Sequence, residues 1–274
     1  MSAPTTVSDL VAAIEARYPT HTAESWDRVG LVVGDPGAAV TRVLLAVDCV
    51  PETVDEAVSA GAEFMLVHHP LLLRGVHSVA TTTYKGALVH RLIRAGVALY
   101  VAHTNADVAV PGVSDALAER LGLLDVRPLH NVRALRDGEA SPLRVGRLPE
   151  PATLAELTAT VAARLPATGG GVRAAGDPDR LVRTLAVAGG AGDDFLGDVT
   201  SAGVDAYLTS DLRHHPASEH LAGGGPVLID VAHWAGERPW LDDAATQLRT
   251  GLGRPPQTIV SDVITDVWTT HAHH

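Results

Sequence analysis

Short apolar runs alternate with segments of helical period along the chain of 274 residues. The runs are rich in Val, Ile and Leu, which is typical of buried strands, and the segments between them are typical of crossover helices. The alternation therefore predicts an α/β fold. The predicted strands are TRVLLAVDCV (41–50), EFMLVHH (63–69), VALYVAHT (97–104), VRTLAVAGG (182–190), VDAYLTS (204–210) and PVLIDVAH (226–233).

The predicted helices begin and end at residues that favour helix termini. Thr6 or Ser8 caps a first helix that runs to Arg17, Pro51 opens the second, and Gly96 ends the third. Each of these helices follows or precedes a predicted strand, as a crossover connection requires. Further helices are predicted at 112–123, 153–165, from about Asp193, at 213–223 and at 238–252.

The hydrophobic content of 46% is enough for two cores in a chain of this length, so we expect two lobes. Residues 128–150 lose the periodicity and contain several prolines and scattered charges. We predict that they connect an N-terminal α/β lobe, 1–127, to a second α/β lobe, 151–274, which segments of the first lobe can complete.

Charge and cysteine content argue against some classes of binding partner and indicate the cellular compartment. The net charge is −11 and no Lys/Arg cluster is present, which argues against nucleic acid and anionic membranes as partners. Cys49 is the single cysteine, so an internal disulfide is excluded. With no export signal or long apolar run in the sequence, we expect a cytoplasmic protein.

Chemistry-bearing clusters follow the ends of four predicted strands. Ligands of open α/β sheets bind outside the carboxyl ends of strands, so the shared position predicts one functional region. The glycines at 189, 190 and 192 do not form a dinucleotide fingerprint and are interpreted as a tight turn. The clusters are HHP (68–70), HTNAD (103–107), TSDLRHH (209–215) and AHWAGE (232–237).

His68 and His69 are adjacent, and adjacent side chains in a strand point to opposite faces. The strand must therefore end at this pair if both rings serve one site. Pro70 favours that ending, because it biases His69 away from helical backbone angles. The two rings are then able to bind neighbouring metal ions.

Two further segments supply carboxylates and a third imidazole. Asp107 is a candidate bridging ligand, and His233 with Glu237 has the i, i+4 spacing of one helical face. Three imidazoles and two carboxylates suit zinc, iron(II), manganese or cobalt. Because five ligands leave two ions incompletely coordinated, we predict two divalent ions per chain with positions open for water or substrate.

Three other residues have two interpretations each. His103 either orients Asp107 or a metal-bound water, or is a buried polar side chain that closes a strand. His215 either lines the pocket or is a solvated histidine at a helix start. Lys85 is the only lysine, and it either contacts a substrate phosphate or oxyanion or is solvated.

Seven segments, in this order, resemble the GTP cyclohydrolase 1 type 2 homologue family, also called Nif-three-like proteins. The resemblance implies two Rossmann-like α/β lobes with a dinuclear metal site between them, in the short form that lacks an inserted middle domain, and a toroidal homohexamer. The family's ligands fall on the five residues reached from spacing. The segments are ESWDRVGLVVGDP (24–36), LAVDCV (45–50), LVHHPLL (66–72), AHTNAD (102–107), GGAGDDF (189–195), DAYLTSDLRHH (205–215) and DVAHWAGE (230–237).

The chain departs from the family pattern at two places. The family usually has Gly-Glu where this chain has Ser210 and Asp211, and Gly-His where it has Ala232 and His233. The carboxylate of Asp211 is one methylene shorter, so its role in the site or in binding substrate is left open.

Two classes of function follow from these features. The first is metal-dependent hydrolysis of a nucleotide or another phosphate-bearing small molecule, either as ring opening of the GTP purine, which the family name implies, or as cleavage of a phosphoester. The second is a non-enzymatic role as a metal-binding hexameric scaffold or regulatory protein.

Overall fold

The computed structural model describes residues 4–130, 132 and 140–272. The chain divides into two compact units. The first unit comprises Met1–Ala106 with Leu241–Thr265, and the second comprises Asp107–Trp240 with Asp266–His274.

The described residues form nine α-helices and eleven strands, which are numbered in chain order. The helices are α1 (Val7–Arg17), α2 (Pro51–Ser59), α3 (Tyr84–Ala95), α4 (Thr104–Val108), α5 (Val113–Arg120), α6 (Leu154–Arg164), α7 (Leu196–Ala202), α8 (His214–Ala222) and α9 (His233–Thr250). The strands are β1 (Gly30–Val33), β2 (Arg42–Ala46), β3 (Phe64–Val67), β4 (Ala98–Val101), β5 (Leu124–Pro128), β6 (Arg144–Thr153), β7 (Val172–Ala175), β8 (Leu181–Ala191), β9 (Ala206–Ser210), β10 (Val227–Val231) and β11 (Gln257–Val260).

The sheet of the first unit has the order β1-β4-β3-β2-β11. The strands from β4 to β11 are parallel, and β1 pairs antiparallel with β4 at the edge. All residues of β3 and β4 are buried, which explains their unbroken apolar sequences. The parallel arrangement brings the carboxyl ends of β2, β3 and β4 to one edge of this sheet, where His68, His69 and His103 follow the strands.

The sheet of the second unit has the order β5-β6-β8-β9-β10-β7. Its centre, β8-β9-β10, is parallel, whereas β5, β6 and β7 pair antiparallel. Alternate residues of β8 enter two cores, because successive side chains of a strand point to opposite faces. Leu185 and Val187 pack in one core, and Ala186 and Ala188 pack in the other.

The predicted α/β fold with two lobes is confirmed, but the units divide elsewhere than in the predicted connection 128–150. Asn131 and residues 133–139 of that connection lie outside the described residues. Residues 144–150 belong to β6, which pairs with β8 in a register that shifts between Arg147 and Ala152. Pro149 and Pro151 lie in that interval, and since proline has no N–H to donate, they obscured the strand in the sequence.

The first unit is completed by a segment from late in the chain. Strand β11 pairs in parallel with β2, with Gln257 opposite Arg42 and Val260 opposite Leu45. This pairing was not predicted, because β11 is only four residues long and its partner lies more than 200 residues away in the sequence.

Helix ends follow the predicted signals in the first unit. Thr6 caps α1 and forms a reciprocal pair of hydrogen bonds with Asp9, and Gly96 ends α3 in the left-handed conformation. Helix α9 begins at His233, five residues before the predicted start at 238, and it contains Pro239. Among the described residues, no helix combines the length and apolar character needed to cross a membrane.

Candidate metal-binding residues

The strand β3 ends at Val67, immediately before His68 and His69. The backbone N–H groups of both histidines donate to the carbonyl of Val47, at 3.1 and 2.9 Å, so the chain turns here instead of continuing the ladder. The two ring centroids are 5.0 Å apart. The expectation that the strand ends at this pair, so that both rings lie close together, is confirmed.

His103 joins this pair in the first unit. Its ring centroid lies 5.1 Å from that of His68 and 5.6 Å from that of His69. One nitrogen from each ring falls within a group whose atoms all lie within 4.8 Å of one another. We call His68, His69 and His103 the histidine triad, in which His103 lies beside two of the predicted ligands.

A buried carboxylate holds His103. Asp27 accepts from Nδ1 of His103 at 2.9 Å and from the backbone N–H and hydroxyl of Thr104 at 3.1 and 2.6 Å. Burial alone would raise the pKa of the Asp27 carboxyl, but the hydrogen bonds from His103 and Thr104 outweigh it and hold the pKa well below its usual range. Asp27 is therefore a carboxylate, and the sequence reasoning did not single it out.

In the second unit, His233 and Glu237 lie one turn apart at the start of α9. Nε2 of His233 is 2.9 Å from Oε1 of Glu237, as their spacing in the sequence predicts. The carboxylate of Asp211 lies 2.7 Å from Nδ1 of His233. Asp211 has a φ of 58°, in the left-handed region that few residues other than glycine adopt. The carboxylate of Asp211 thus still reaches His233, although its backbone conformation is energetically unfavourable for a residue with a Cβ.

Gly190, near the end of β8, leaves space for the same pair. It has a φ of +73°, and a Cβ at this position would stand 2.6 Å from Oε1 of Glu237 and 3.2 Å from Nε2 of His233. The interpretation of this glycine as part of a tight turn was wrong, since Gly190 lies within β8. A side chain here would displace the Glu237 carboxylate, which is 3% exposed.

The four histidines share one hydrogen-bond pattern. Nδ1 of His68 lies 2.9 Å from the carbonyl of Ala102, and Nδ1 of His69 lies 2.7 Å from the Asp48 carboxylate. Asp27 and Asp211 serve His103 and His233 in the same way. Carbonyl and carboxylate oxygens only accept, so each Nδ1 carries a proton and donates it. In the neutral ring this leaves the lone pair of Nε2 to bind a metal, as metal-ligating histidines require.

The donor set fits divalent metal ions on chemical grounds. A carboxylate oxygen and an unprotonated Nε2 are both acceptors, so a proton or a cation must lie at a pair such as His233 and Glu237 to hold them 2.9 Å apart. Imidazole nitrogen and carboxylate oxygen together suit zinc, iron(II), manganese and cobalt. Cys49 is buried and supplies no exposed thiolate to this region.

The other predicted residues have separate positions. Asp107 is half-buried on α4 and is the first residue of the second unit. Lys85 lies in the first turn of α3, and its side-chain ammonium forms no hydrogen bond or ion pair with another described residue. His215 is exposed in the first turn of α8, where its ring lies 5.1 Å from that of His214. Contacts of Lys85 and His215 with a substrate stay predictions.

Comparisons with known proteins show the family of the chain. Residues 5–266 match the sequence profile of the family described as Duf34/NIF3 (NGG1p interacting factor 3). A Streptomyces coelicolor protein named GTP cyclohydrolase 1 type 2 homolog is 52% identical over 268 residues, which cover 97% of this chain and 94% of the relative. A Mycobacterium tuberculosis protein of the same name is 39% identical over 367 aligned positions, with 96% of each chain covered.

Solved structures share the fold. A Staphylococcus aureus hypothetical protein has a TM-score of 0.88 at 27% identity, over 98% of this chain and all of that one. A Bacillus cereus protein related to NIF3 has a TM-score of 0.86 at 23% identity, over 97% and 99% of the two chains, and at that identity the likeness shows the fold alone.

The fold and these residues define a class of α/β protein with two lobes that carries imidazole and carboxylate donors just beyond its strand ends. The chain belongs to the Duf34/NIF3 family. The mycobacterial alignment extends over 367 positions against the 274 residues of this chain, so that relative has residues that this chain lacks. The short form expected from the resemblance is consistent with this difference.

Proposed function

We propose that the protein binds two divalent metal ions and uses them to hydrolyse a nucleotide or a related phosphate-bearing small molecule. The observation that carries the proposal is the shared hydrogen-bond pattern of the histidines, which leaves Nε2 of each ring to act as a ligand. The residues that would hold the ions are His68, His69, Asp107, His233 and Glu237.

The chain's own groups prepare the ligands for this role. The carbonyl of Ala102 and the carboxylates of Asp48 and Asp211 keep the proton of their imidazole on Nδ1. They also fix the orientation of each ring, which reduces the conformational entropy lost when a ligand binds. A bound divalent ion supplies a Lewis acid that polarises a phosphoryl or carbonyl oxygen of the substrate.

Metal content tests the first half of the proposal. Chain reconstituted with zinc, iron(II), manganese or cobalt is expected to hold about two ions by elemental analysis, and Asp107→Ala is expected to lower occupancy at both sites if this carboxylate bridges. His90→Ala is a matched control, because His90 is an exposed histidine on α3. One ion or none in the wild-type chain would contradict the proposal.

Turnover tests the second half and separates the enzyme from a metal-binding scaffold. The reconstituted chain is incubated with GTP and with other nucleotides, and ring opening and phosphate release are followed. A hydrolase is expected to show turnover that rises with metal occupancy and is lost in His69→Ala but kept in His90→Ala. Absence of turnover at full occupancy would favour the scaffold or regulatory role.

We also propose that the chain assembles into a homohexamer, as the family resemblance implies. The mass in solution is then expected to be near six times 28.5 kDa by light scattering. A monomer at micromolar concentration would count against this assembly, independently of metal content.

A further inference from the structure

Of the four tryptophans, Trp26 and Trp268 are exposed and the other two are buried. Trp234 and Trp240 are 5% and 1% exposed, as expected for large apolar side chains, whereas Trp26 is 52% exposed. Leaving half of an indole in water forgoes a substantial hydrophobic contribution to stability. Packing within the chain therefore does not account for the exposed face of Trp26, and its surroundings must be considered.

The segment that carries Trp26 is held on both sides by hydrogen bonds. The N–H of Glu24 donates to the Thr104 hydroxyl at 2.9 Å, and the N–H of Asp27 donates to the carbonyl of Glu24 at 2.9 Å. The buried Asp27 carboxylate is tied to Thr104 and His103. The backbone of Trp26 is thus fixed against the segment that follows β4, so the exposure of its ring does not arise from a loose loop.

The exposed indole lies beside the histidine triad within the first unit. Its ring centroid is 5.9 Å from that of His103, at an interplanar angle of 78°. An edge-to-face contact of this kind covers only part of the indole surface. His103 is in turn 5.1 and 5.6 Å from His68 and His69. A flat apolar surface and three imidazoles are therefore adjacent.

We propose that Trp26 is a stacking platform for a planar heteroaromatic ring, such as a nucleobase, in the substrate of this site. The inference deepens the proposed function and rests on it for the position of the reacting group near the histidines. Stacking on an aromatic side chain accepts any nucleobase, because every base has a π-face, and it strengthens binding about tenfold or more for one base. Trp26 would then select ligands that carry an aromatic ring over phosphorylated sugars that lack one.

Calorimetric titration of the reconstituted full chain with guanosine monophosphate and with ribose 5-phosphate tests this role. The wild type is expected to bind the nucleotide about tenfold more tightly. Trp26→Phe keeps an aromatic face and is expected to retain most of that preference, whereas Trp26→Leu is expected to lose it with ribose 5-phosphate affinity and metal content unchanged. Trp268→Leu is the matched control, because Trp268 is 70% exposed in the second unit.

Three results would overturn the inference. In the first, the wild type does not distinguish the two probes. In the second, Trp26→Leu keeps the preference for the nucleotide. In the third, the mass of the assembly falls in Trp26→Leu, which would assign Trp26 to a contact between copies. Failure of the proposed function is separable. If the preference for the nucleotide depends on Trp26 but no turnover is seen, the stacking role is upheld and the hydrolase is rejected. If turnover is seen without the preference, the hydrolase is upheld and the stacking role is rejected.

Discussion

Replacing Gly190 by alanine is expected to weaken both metal binding and the fold. A Cβ at this position would stand 2.6 Å from Oε1 of Glu237, well inside van der Waals contact, and 3.2 Å from Nε2 of His233. Glu237 is 3% exposed, so its carboxylate has little free space in which to move. The substitution is therefore expected to shift one predicted ligand and to disturb a second.

The magnitude follows from two contributions. An alanine at the φ of +73° observed for Gly190 costs about 1–2 kcal/mol in backbone conformation. Displacing a buried carboxylate from its partner costs a further ~1–3 kcal/mol. For metal affinity we expect a loss of roughly tenfold to a hundredfold, the range for disturbing the surroundings of a metal ligand.

Gly203→Ala separates backbone conformation from crowding. Gly203 ends α7 with a φ of +68°, and a Cβ there would meet no atom within 4 Å. Urea unfolding of the metal-free chains is expected to show a loss of about 1–2 kcal/mol for Gly203→Ala and a larger loss for Gly190→Ala. Metal titration should show weaker binding in Gly190→Ala alone. Wild-type metal affinity in Gly190→Ala, with no more destabilisation than in the control, would refute the reasoning.

Three further predictions concern stability and reactivity. Asp115→Ala leaves the buried guanidinium of Arg144 without its carboxylate partner at 2.8 Å and should lower the free energy of unfolding by about 3–5 kcal/mol in urea; a loss below about 1 kcal/mol would contradict this. Burial raises the pKa of the Cys49 thiol to about 12, so a disulfide reagent at pH 8 should label it slowly in the folded chain and rapidly in urea; equal rates would be inconsistent with burial. Burial alone would raise the pKa of Asp205, but hydrogen bonds from two backbone N–H groups and the Thr184 hydroxyl lower it. The stabilisation from the Asp205 carboxylate should therefore be present above about pH 4 and be lost as the pH falls. Urea midpoints should show that Asp205→Asn destabilises the chain at pH 7 and destabilises it less at pH 3. An equal effect at both pH values would exclude this linkage.

Much of the candidate site was predictable because its signals are local. The end of a strand at His68 and His69, and the i, i+4 pair of His233 and Glu237, depend only on strand and helix geometry. The order of the seven segments along the chain, which resembles that of the family, connected these local signals to one another. The sequence also indicated Gly96 and Thr6 as helix ends, since the conformation of a helix terminus depends on a few neighbouring residues.

Other features were decided by the tertiary structure. Asp27 and His103 are separated by 76 positions, and Asp48 and His69 by 21, so no local pattern pairs them. Strand β6 is interrupted by prolines, and β11 joins β2 from the far end of the chain. Only the fold brings such groups within hydrogen-bond distance.

By itself, the sequence determined the α/β class, most of the buried strands and the residue types that can bind a metal, because periodicity and strand ends are properties of neighbouring residues. The tertiary structure alone decided which oxygen accepts from each histidine Nδ1 and that Trp26 is exposed beside His103. It also placed Gly190 where a Cβ would collide with Glu237. The physical reason is that hydrogen bonds and close packing depend on distances in space, and residues far apart in the sequence acquire those distances only when the chain folds.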